Sequence, residues 1–76
     1  MNNIGEIILD LATKMSLQRQ TCQLNIEELE RDIKKLWDTP SEFEKAVIEQ
    51  YQRMIDKYKS MIEEYDEMEL WLKETV

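Results

Sequence analysis

Histidine is absent from the 76 residues, which removes the commonest general base and metal ligand. The Glu-x-x-His pair of carboxylate-bridged di-iron bundles is excluded with it, so the sequence predicts a non-enzymatic chain with no cofactor and no metal site. One cysteine, Cys22, cannot form an internal disulfide or a multi-cysteine zinc site, and it points to a reducing, cytoplasmic setting. A single glycine and a single proline leave too little turn chemistry for a sandwich and none of the repeats of collagen. Long apolar runs are missing too. Nothing approaches the roughly 20 residues of a membrane span, and the start, Met1-Asn2-Asn3-Ile4-Gly5-Glu6, lacks the basic region of a secretory signal. Basic residues are scarce, ten against seventeen acidic, and the net charge of −7 repels nucleic-acid phosphates and anionic lipid headgroups.

What is present is an ordered, charged and amphipathic chain, 36% charged and 42% hydrophobic, about half the length of a usual domain. One interruption divides it: Trp37-Asp38-Thr39-Pro40-Ser41-Glu42, where Pro40 ends any preceding helix and biases Thr39 away from the α region. Thr39 as N-cap, Pro40 at the first helical position and Glu42 closing a capping box predict a new helix there. Asn3 with Glu6 predicts a weaker start near the N-terminus. The expectation is a single all-α domain over 1–76: a helix over about 3–37, a turn at 38–39 and a helix over about 40–74, folded as a long antiparallel, coiled-coil-like hairpin.

On the first helix, Ile4, Ile8, Leu11, Met15, Cys22, Ile26, Leu29, Ile33 and Leu36 share a narrow sector, with a stutter at Gln18 and a polar centre. On the second, Val47, Tyr51, Met54, Tyr58, Met61, Tyr65, Met68 and Leu72 alternate by four and three, which predicts a Tyr/Met seam. Ile48, Ile55 and Ile62 widen it on one flank, and Glu69 breaks the pattern. Folding about residues 38 and 39 places Gln18 and Arg19 beside Tyr58, whose hydroxyl is expected to be hydrogen-bonded there.

One neighbouring helix cannot cover all the apolar surface. Leu9, Leu17 and Leu24 lie across the first helix from its seam, and Leu70 and Trp71 extend the second beyond it, so these five are candidates for a contact surface. A homodimer in which two hairpins form a four-helix bundle would cover them. Residues 38–76 hold eleven acids and five bases, against six and five in 1–37. The excess gathers at Glu63, Glu64, Asp66, Glu67 and Glu69 near a helix C-terminus, where negative charge opposes the macrodipole. A partner protein with a basic surface accounts for that placement, making Glu63, Glu64, Asp66 and Glu67 candidate partner-binding residues.

The function expected from these features is a protein-binding module: a small inhibitor, adaptor or chaperone. The alternative is an acidic nucleic-acid mimic of the kind phages encode, blocking a basic groove on an enzyme, although carboxylates bunched at one end do not follow phosphate spacing. Trp37-Asp38-Thr39 resembles the Trp-x-Gly turn of small secreted helical hairpins of the early-secreted-antigen type, with Thr39 in place of the glycine, and the resemblance implies a dimeric four-helix bundle. The hairpin size and Pro40-x-x-Phe43 helix start are similar to type III secretion needle co-chaperones, which implies a co-chaperone role.

Overall fold

The computed structural model describes residues 3–75, which form α1 (Ile4–Leu36) and α2 (Glu42–Thr75) packed against each other. Each helix, of 33 or 34 residues, is about 50 Å long at 1.5 Å per residue. A molecule measuring 59 × 17 × 14 Å therefore holds them side by side, as an antiparallel hairpin. Among the described residues no helix is long and apolar enough to cross a membrane.

The expected start of α1 is present: the Asn3 Oδ1 accepts from the Glu6 backbone N–H at 2.8 Å. Lys34 and Lys35 in its last turn complement the helix dipole. The bend differs from its expected form. Residues 37–41 all lie outside the helices, rather than 38–39 alone. The cap of α2 is Ser41, not Thr39. The Ser41 Oγ accepts from Glu44 N, Glu44 Oε1 accepts from Ser41 N, both at 3.2 Å, and the Ser41 carbonyl accepts from Lys45 N at 2.9 Å. Ser41-x-x-Glu44 is thus the capping box, and Pro40 precedes it instead of opening the helix. Thr39 has φ 49°, in the left-handed region, and so cannot supply the extended backbone an N-cap needs.

The buried core is small: Met15, Cys22 and Ile26 from α1 and Ile48, Ile55 and Leu72 from α2. On α1 these fall within the expected stripe, while Ile4 and Leu11 near the open end stay exposed. On α2 the seam is rotated relative to the Tyr/Met expectation. Ile48 and Ile55 are buried, whereas Met54 and Met68 are 43% and 52% exposed. The inward line runs 48, 51, 55, 58, 62, 65, 69, 72, again alternating by three and four. A stripe two residues wide offered either its Ile or its Met edge to a single neighbour, and the stiff, branched isoleucines lose less side-chain entropy on burial than the methionines. The rotation places Glu69 on the inward line.

A candidate protein-docking surface

At the α1 stutter it is Arg19 that turns inward and Gln18 that stays exposed. The Arg19 Nη1 carries two N–H groups and donates one to Asp66 Oδ1 at 2.6 Å and one to Glu69 Oε2 at 2.8 Å. Glu69 is the more buried partner, and its other oxygen, Oε1, is buried with no hydrogen-bond partner. Hydrogen bonds from Asp66 first, then Glu69, raise the Arg19 pKa above its ordinary value, so the guanidinium stays cationic at every working pH. The clamp lies about two to three turns further along α2 than Tyr58, at 3.6 residues per turn. The Tyr58 hydroxyl has no hydrogen-bond partner among the described residues and is not among their buried unpartnered atoms, so it is open to solvent.

Arg19 and Glu69 also line a groove at the open end of the hairpin, together with Ile8, Leu9, Ala12, Thr13 and Leu72. The small Ala12 side chain lets the surface dip between the larger ones. Among the described residues, no acidic or cysteine side chains gather as a metal-holding group. Cys22 is a buried free thiol within the seam.

All nine candidate contact residues are exposed, yet they do not form one patch. Successive helical residues point about 100° apart. Leu17 and Leu24 (57% and 64% exposed) therefore occupy the side of α1 turned away from α2, and Leu9 (69% exposed) lies at the edge of that side, where it also lines the open-end groove. Trp71 occupies the side of α2 turned away from α1, where it lines a shallow depression with Glu64, Glu67 and Met68. Leu70 points between these two outer faces. Asp66 is engaged by Arg19, so Glu63, Glu64 and Glu67 carry the outward negative charge.

The clamp is a pairing that the sequence pattern did not predict. Its signal was present: Arg19 is the lone charge between Lys14 and Glu27, and Glu69 stands where the heptad of Ile48, Ile55 and Ile62 calls for another isoleucine. No family model matches the chain, and neither a curated protein nor a solved structure matches it.

Proposed function

We propose that the chain is a non-enzymatic protein-binding module that acts in a reducing, cytoplasmic setting through the outer faces of its two helices. The observation that carries this reading is the inverted distribution of apolar side chains. Among the described residues, roughly twice as many large hydrophobics are exposed as are buried. A chain of this size has no surplus of stabilising burial, and apolar surface left open in this amount marks a contact surface. The α2 face adds chemistry to the contact. Trp71 and Met68 are an aromatic and an adaptable anchor, and Glu64 and Glu67 beside them suit a partner helix carrying lysine or arginine at its rim.

The mimic alternative is weakened by the clamp. Asp66 and Glu69 are paired with Arg19 across the hairpin, leaving a short acidic cluster around an apolar anchor instead of a phosphate-like row. Titrating the chain with basic amphipathic helical peptides, followed by tryptophan fluorescence and calorimetry, tests the reading. Binding should weaken as salt rises, and it should fall about tenfold or more in Trp71→Ala, as expected of a hot-spot residue. Binding that ignores both salt and Trp71 would overturn the reading, and displacement of nucleic acid from a basic protein by the acidic chain would transfer the case to the alternative.

A further inference from the structure

The outer face of α1 carries a pattern that reads the same in both directions. Leu9, Thr13, Leu17, Thr21 and Leu24 follow one another at near one-turn intervals, with Leu17 at the centre. They fall within a sector of about 120° when each residue is advanced by 100°. The threonines do not break the stripe. Thr13 Oγ1 donates to the Leu9 carbonyl and Thr21 Oγ1 to the Leu17 carbonyl, each at 3.0 Å. With the hydroxyls tied back to their own helix, the methyl groups are left to line the face. Asp10 and Gln20 fall inside the same sector; Asp10 is neutralised by Lys14 at its edge, 3.0 Å away, and Arg19, the single charge between Lys14 and Glu27, is turned to α2.

We propose that this stripe is the dimer interface of the chain, seated on the same stripe of a second copy running antiparallel, with the two-fold axis at Leu17. The inference rests on the docking reading above and names the occupant of one of its two faces. In that arrangement Leu9 meets the partner's Leu24, Thr13 meets the partner's Thr21, and Leu17 meets its own copy. An isologous interface requires this self-complementarity, and a face built for an unrelated partner has no need of it. The surface area agrees. The chain exposes 6294 Å², against roughly 4,900 Å² for a compact monomer of its mass. The excess of roughly 1,400 Å² exceeds the ~800 Å² per partner of a standard interface. Leu24 of one copy then lies near the open-end groove of the other, which Leu9 and Thr13 line.

The position of the axis gives a test that only a two-fold contact passes. The wild-type chain should sediment at equilibrium at twice its 9.2 kDa, and more tightly at high salt, because two chains of net charge −7 repel. Leu17→Glu and Leu17→Lys each place like charges face to face, and each should weaken self-association by about a hundredfold while keeping the helical circular dichroism. A one-to-one mixture of the two variants should recover the dimer, since glutamate then faces lysine. Trp71→Ala should leave the dimer intact. A wild-type chain that stays monomeric from micromolar to millimolar, a dimer unaffected by either Leu17 variant, or a mixture that fails to pair would each overturn the interface. Loss of basic-peptide binding in Trp71→Ala with no effect on sedimentation keeps the failure of one face separate from that of the other.

Discussion

Arg19 and Glu69 meet at 2.8 Å across the hairpin, in the layer where both helices depart from their apolar spacing. Each residue alone is a defect in its own seam. Together they form a charged layer in which one guanidinium nitrogen also holds Asp66. Because the Arg19 pKa is raised, by Asp66 first and Glu69 second, the guanidinium stays cationic while its partners are ionised, and its contribution is lost as pH climbs above the ordinary guanidinium value. Replacing the cation alone leaves Glu69 with two unpartnered oxygens instead of one. Arg19→Ala should therefore lower the melting temperature by several degrees, and adding Glu69→Leu in the same chain should recover it by restoring an apolar heptad position. An Arg19→Ala chain that melts with the wild type would show that the clamp does not stabilise the hairpin.

The rotation of α2 has its own consequence. Ile55 is buried and Met54, its immediate neighbour, is exposed, although both belong to the apolar stripe. Ile55→Ala should cost about 2–4 kcal/mol by leaving a cavity, whereas Met54→Ala should stay within about 0.5 kcal/mol as a surface change. Urea titrations followed by circular dichroism, under conditions in which the chain keeps one association state, measure both. The reverse ranking would place the methionine edge inside and return the seam to the Tyr/Met line.

The contrast between these two neighbours shows what could be read before any coordinates. The existence, length and antiparallel pairing of the helices were legible because Pro40 punctuates the chain once and a helical apolar spacing, interrupted only at the Gln18 stutter and at Glu69, runs on either side. Membership of the α2 stripe was legible as well. Its innermost edge was not, because Ile48/Val47, Ile55/Met54 and Ile62/Met61 offer two adjacent and almost equally good seams, and only the packed partner decides between them. The missed Arg19–Glu69 pairing follows from the same ambiguity: with the methionine edge inward, Glu69 lies outside the seam and has no reason to meet a cation. Exposure of Leu9, Leu17, Leu24 and Trp71 could be anticipated one helix at a time. Their division between two opposite faces needed the hairpin.

Thr39 is a β-branched residue at φ 49°, the position where the Trp-x-Gly turn it resembles carries glycine. A left-handed conformation costs an L-residue roughly 1–2 kcal/mol, while glycine brings an unfolded-state entropy penalty of roughly 0.5–1 kcal/mol. The exposed hydrogen bond from Thr39 Oγ1 to the Asp38 carbonyl, 2.8 Å long, offsets little of the strain. Thr39→Gly should consequently stabilise the hairpin by about 0.5–1 kcal/mol, read as a higher thermal midpoint. A lower midpoint would mean that Thr39 contributes more through its side chain than its backbone loses.

The two candidate caps of α2 can be told apart by the same kind of measurement. Ser41 uses both its side chain and its backbone: Oγ accepts from Glu44 N, its N–H is taken by Glu44 Oε1, and its carbonyl receives the first helical bond from Lys45. Ser41→Ala removes the side-chain half of this box and should cost about 1 kcal/mol. Glu44→Ala removes the other half and should cost less, because the Ser41 N–H at this exposed end can turn to water. Thr39→Ala should cost nothing through capping, since the Thr39 hydroxyl donates to a carbonyl and accepts from no helical N–H among the described residues. If Thr39→Ala instead destabilised the chain as much as Ser41→Ala, α2 would begin two residues earlier in solution, with Pro40 in its first turn.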